Sequence, residues 1–185
     1  VISSLIDPFD RAPEDPLSWT ADQLRPLLLD NRHDLIYLAG HFSASSLLAA
    51  DYQSTINASE LASAAVNMEN VVIYSSGCHV AYNLVNDHAV PGVTSAPPDW
   101  AQAVAQKGAT LIAGTGYQYG DADYEEYSER LYASFTQRLR VGSGPVAFGK
   151  ALVEAKQDYL ADTGVEIDGV FEKTILVATY FGLPM

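Results

Sequence analysis

Three short apolar runs punctuate the chain: Leu35-Ile36-Tyr37-Leu38, Val71-Val72-Ile73-Tyr74, and Leu111-Ile112-Ala113 after Thr110. Each is too short for a buried helix and ends at glycine or serine, so the pattern predicts strands at about 34–39, 70–75 and 110–113. None alternates between apolar and polar positions. Strands that are apolar throughout are buried on both faces, which is the habit of a parallel sheet covered by helices.

Helical spacing fills the intervals. Thr20 caps a first helix with Leu24, Leu27 and Leu28 as its apolar stripe and Asp30-Asn31 near its end. Asn57-Ala58-Ser59-Glu60 has the spacing of a capping box and opens a short helix through Ala65. Asp99 caps another through Gln106, closed by Gly108 in the left-handed conformation. Tyr127, Leu131, Phe135 and Leu139 recur every four residues, and Phe148, Leu152, Ala155 and Tyr159 repeat the habit between Pro145 and Gly164. Residues 42–55 read as a polar, small-residue loop, 79–86 as a helical turn leading from the second strand, and 87–98, with three prolines, as a second loop. Residues 170–181 fit either a strand or a buried helix. The chain thus divides into a lead-in and first helix over 1–32 and an α/β domain over 33–185. Three strands make a thin sheet, which predicts that part of the domain lies outside this chain or comes from a second one.

With 185 residues, 48% of them hydrophobic, the chain can bury a sizeable core. Its net charge of −13 argues against nucleic acid, because phosphates require a basic patch. The same charge is compatible with cationic peptides and leans towards Arg or Lys as the residue recognised. No apolar run approaches the ~20 residues that span a bilayer. One cysteine excludes an internal disulfide framework.

That cysteine, Cys78, follows the second apolar run directly, and His41 follows the first after Ala39-Gly40. In a parallel sheet both side chains emerge at the carboxyl-end edge, where such sheets bind ligands. A thiol beside an imidazole is the minimum for a cysteine nucleophile and its base. Gly77 lets the backbone turn sharply to expose the thiol, and Ser75 and Ser76 mark the end of the buried strand. Residues 42–70 hold one crossover helix, so the two strands are neighbours in a right-handed unit. Among the other histidines, His79 adjoins the cysteine but points away, His33 precedes the first strand at the wrong end, and His88 in the proline-rich loop is the reserve base. One cysteine and scattered histidines make a poor zinc site, and no cofactor is called for. Asp121, Asp123, Glu125 and Glu126 suit a helix start or calcium.

The third strand ends in Gly114-Thr115-Gly116-Tyr117-Gln118-Tyr119-Gly120-Asp121. A dinucleotide loop needs its third glycine where Tyr119 stands, so the segment reads better as a loop rimming the same edge. Tyr117 and Tyr119 then wall a substrate pocket. The bland alternative packs both under the following helix.

These blocks together resemble the gingipain-like family of the caspase-like clan of cysteine peptidases. Leu35 to His41 looks like the family's histidine block, and Val72 to Cys78, ending 37 residues later, like its cysteine block. Lys107-Gly108-Ala109 through Asp121 resembles the next strand and loop, Gly149 to Lys156 the long helix, and Gly182 to Met185 the closing segment. The resemblance implies a caspase-like three-layer sandwich with a mostly parallel sheet, forming part of a larger domain. It implies a cysteine endopeptidase with Cys78 as nucleophile, His41 as base, and the backbone N–H groups of Cys78 and Phe42 as oxyanion hole. Gly77, Tyr117, Tyr119, Asp121 and Asp51 are the substrate-binding candidates, the two aspartates also standing for the acid that orients His41. It further implies a polypeptide substrate and a secreted or extracytoplasmic setting. Phe42 replaces the family's usual glycine and narrows the approach to the thiol, which favours the alternative of a non-catalytic caspase-like scaffold. A nucleotide-binding domain using residues 114–120 is the third reading.

Overall fold

The computed structural model describes residues 2–7, 15–83, 97–121, 123–140, 144–163 and 169–182. Its centre is a four-stranded sheet in the order β1 (Leu35–Leu38), β5 (Val72–Ser75), β6 (Thr110–Gly114), β7 (Ala178–Phe181). β1, β5 and β6 run parallel, with Leu38 opposite Ser75 and Ser75 opposite Ala113, and β7 closes the far side antiparallel to β6. All three expected strands are present. Residues 170–181, ambiguous in sequence, take both forms: helix α6 (Gly169–Val177) delivers the chain into β7.

Alternation along the strands divides the core. Leu38, Ile73, Leu111 and Ala113 face α2 (Ala58–Ser63) and α3 (Trp100–Gln106), whereas Val72, Tyr74 and Ile112 face α4 (Tyr127–Arg138) and α5 (Phe148–Thr163). The architecture is therefore α/β, a mostly parallel sheet with helices on both faces. Position in the sheet decides burial: all four residues of β5 are buried, but in the outer strand β1 Leu35 and Tyr37 remain exposed.

The helix starts follow their capping signals. Asp99 accepts the Gln102 N–H at 2.8 Å, and Gly108 takes φ +69° after α3. Glu60 accepts the Asn57 N–H at 2.9 Å ahead of α2. The first helix is shorter than its stripe predicts. α1 (Ala21–Arg25) gives way at Pro26, which has no N–H for the ladder, to a single π turn over Pro26–Asp30.

The larger departure lies after β1. Residues expected as a loop form a second sheet, β2 (His41–Phe42), β3 (Ser46–Leu48) and β4 (Thr55–Asn57), all antiparallel. Residues 43–46, three of them serine, make the tight turn, with the Ser43 hydroxyl accepting the Ser45 and Ser46 amides. Leu47 and Ile56 supply a buried face too small to register as a strand pattern. The Trp100 N–H donates to Ala44 O at 2.8 Å, which fastens this sheet to the start of α3.

Candidate active site

The parallel register builds the site. Ser76 N–H donates to Leu38 O at 3.2 Å, one residue beyond the last strand pair, so the two chains leave the sheet together. One turns through Gly40, at φ +136°, into β2 and His41. The other turns through Gly77 into Cys78, with the Gly77 N–H held by the buried Ser75 hydroxyl at 2.9 Å. The Phe42 ring is buried against Gly77, and its edge meets Trp100 with centroids 5.9 Å apart. A Cβ at position 77 would overlap that ring, so the close approach requires glycine. The Phe42 ring thus lies beneath Gly77, in the core.

Cys78 is partly buried, and among the described residues its sulfur is engaged by Gln118. Gln118 N–H donates to Sγ at 3.4 Å, and the thiol donates to Gln118 O at 3.5 Å. Sequence reasoning named the tyrosines on either side of Gln118 and missed Gln118 itself, whose contribution is made by its backbone. Its side chain folds over Gly114 and donates to the Tyr132 hydroxyl at 3.1 Å. Burial pushes the Tyr132 phenol well above its ordinary value, against the pull of that bond, so it stays a neutral hydroxyl.

His41 is exposed, and its Nε2 shares a hydrogen bond with the Tyr52 hydroxyl at 3.0 Å. Tyr52 sits at φ +55° in a turn organised by Asp51. Asp51 does not touch the imidazole through any bond seen here; its carboxylate takes the Ser54 hydroxyl at 2.7 Å and the Ser54 and Gln53 amides. Burial raises its pKa, but those hydrogen bonds outweigh it and hold the carboxyl below its usual range. The partner of His41 is thus the neighbour of the aspartate that sequence had singled out.

Two backbone amides at this rim, those of Phe42 and Cys78, have no acceptor among the described residues. Ser43 N–H bonds Ser46 O, so the next pair, Phe42 with Leu47, is the wide one and the Phe42 N–H faces away from β3. Gly77 and His79 amides donate to Ser75 Oγ and Gly116 O, while the Cys78 amide between them has no acceptor among the described residues.

The loop after β6 closes the other wall. Tyr117 and Tyr119 stay exposed instead of packing under α4, and the His79 ring meets Tyr117 edge-on at 4.6 Å. The Thr115 and Gln118 amides, which a phosphate loop would leave free, donate to Val177 O and to Cys78 Sγ. Asp121 uses its carboxylate on the Asp123 and Tyr124 amides and lines a groove of about 500 Å³ with Tyr37, Tyr74 and Glu129. Tyr37 links that groove to the cysteine turn through Ser76 Oγ at 2.9 Å. His41 and Tyr52 border a second cavity of about 910 Å³ between β1 and the N-terminal segment. His88 lies outside the described residues. Among the described residues no three His, Cys, Asp or Glu side chains converge as a metal site, and no helix is long and apolar enough to cross a membrane.

Fold and rim together define an α/β protein with a cysteine and a histidine at the carboxyl edge of neighbouring parallel strands. Comparison with protein-family models, curated proteins and solved structures finds no match to this chain.

Proposed function

We propose that this chain is a gingipain-like cysteine endopeptidase domain of the caspase-like kind, cleaving polypeptides after a basic residue. The observation that carries the reading is the pairing of β1 with β5, which brings the exits bearing His41 and Cys78 side by side. The Cys78 thiol gives its proton to His41, and the resulting thiolate attacks the peptide carbonyl carbon. The unclaimed N–H groups of Cys78 and Phe42 take the developing oxyanion. His41 then protonates the leaving amine, and water, deprotonated by the same imidazole, releases the acyl group and restores the thiol. Tyr52 on Nε2 orients the ring and leaves the other nitrogen for the thiol, which supports it as the third member that such a pair needs.

A non-catalytic scaffold of the same fold is the rival, supported by the hold of Gln118 on the sulfur and of Tyr52 on the imidazole. An Arg- or Lys-directed peptide acyloxymethyl ketone separates the two, with intact mass as readout. Labelling at Cys78 that His41→Ala abolishes supports the peptidase. No labelling of the folded chain across a panel of cleavage-site residues supports the scaffold.

A further inference from the structure

Lys173 occupies an unusual place in this acidic molecule. Arg25, Arg130, Arg138 and Lys150 each reach a carboxylate. Lys173, on α6, reaches none among the described residues; its ammonium stands 5.2 Å from the Tyr117 ring centroid and 5.1 Å from that of Tyr119. It also donates to the Tyr119 hydroxyl at a long 3.4 Å. Two aromatic faces on one ammonium are the arrangement by which proteins recognise cations without a counter-charge.

The loop that carries both rings is held independently of the lysine. The Tyr119 carbonyl accepts the Ser128 amide at 3.1 Å at the start of α4, and Tyr117 leans on His79. Thr115 is tied to Val177 at 2.9 Å, so the loop keeps its course against α6 without help from Lys173. The rings also flank Gln118, whose backbone grips the Cys78 sulfur from both its amide and its carbonyl. A cation between these tyrosines is therefore held by the same loop that grips the thiol.

We propose that Tyr117 and Tyr119 form a seat for one cationic group on the loop that grips Cys78, filled at rest by Lys173 and surrendered to the basic side chain of a polypeptide. The polypeptide as ligand rests on the peptidase reading; the seat and its resident rest on the rings alone. Lys173 is suited to leave because it is only partly buried and makes no ion pair among the described residues.

The test is a titration of the folded chain with Nα-acetyl-arginine methylamide, with the norleucine amide as neutral control, followed by tyrosine ring resonances. Lys173→Met should tighten the arginine amide by about fivefold over wild type, the size of an exposed cation–π contact, without admitting norleucine. Adding Tyr117→Leu and Tyr119→Leu to that variant should erase the gain. Equal affinity in wild type and Lys173→Met overturns the proposal. So does a gain that survives loss of both rings, since removal of one positive charge then explains it. Lys173→Gln serves if the methionine variant does not fold. The titration works equally in Cys78→Ala, so a failed seat and an inert thiol give different results: the first leaves ketone labelling intact, and the second leaves arginine binding intact.

Discussion

The ring of Phe42 rests on the Cα of Gly77, and through that contact the residue after the histidine fixes the residue before the cysteine. Any Cβ at position 77 must move the ring, which is also lodged against Trp100. Gly77→Ala should cost about 1–3 kcal/mol, the usual range for overpacking a core. Urea denaturation measures it, and Phe42→Leu in the same chain should return part of the loss. Additive effects of the two substitutions would mean that they do not touch.

Tyr52→Phe removes the hydroxyl that shares a hydrogen bond with His41 Nε2 while keeping the ring stacked edge-on, with centroids 5.3 Å apart. One hydrogen bond of about 1 kcal/mol corresponds to roughly fivefold. The rate of Cys78 labelling by a peptide ketone should fall by about that factor with the thermal midpoint unchanged. An unchanged rate would leave Tyr52 without a part in the proposed reaction.

Gln118→Leu keeps the backbone that holds the sulfur and deletes the amide that satisfies the buried Tyr132 hydroxyl. Leaving that phenol unpaired costs about 1–3 kcal/mol. Loss of the Gln118 Oε1, itself buried without a partner among the described residues, offsets part of it. A destabilisation near the low end, about 1 kcal/mol, is expected by urea denaturation. Restoration of wild-type stability by adding Tyr132→Phe would locate the cost at the phenol.

Arg138 on α4 clasps Asp158 on α5, with Nη2 at 2.6 Å and Nε at 2.9 Å from Oδ2. The guanidinium holds the Asp158 carboxyl below its ordinary value. A depressed carboxyl stabilises the fold fully above its unfolded value, about 3.9, and loses that contribution as pH falls through the folded one. Arg138→Met should therefore lower the denaturation midpoint at pH 7, and the gap should close as the pH is taken below the Asp158 value. A gap independent of pH would assign the loss to packing of the arginine stem.

Local signals located much of this molecule. The unbroken apolar runs mark β1, β5 and β6 because strands buried on both faces admit few polar residues. Asp99, Gly108 and the four-residue repeats place α3, α4 and α5, because caps and stripes act within one or two turns. The exits of two such strands carry Cys78 and His41, so the rim itself was legible, and so were the loop tyrosines 117 and 119.

Tertiary structure decided the rest, since the deciding contacts join residues far apart in the chain. The sheet β2–β3–β4 consists of strands of two or three residues, which carry no pattern and persist by docking on Trp100. The Phe42 ring is drawn beneath Gly77 by burial against Trp100 of α3, a contact that no local signal announces. The partners of the reactive groups are equally unreadable: Gln118 meets Cys78 through main-chain atoms, which every residue possesses, across 40 positions. Lys173 reaches Tyr119 across 54. Residue types and their periodicity set which elements form and which chemistry reaches the sheet edge; only the packing of distant segments sets what each of those side chains touches.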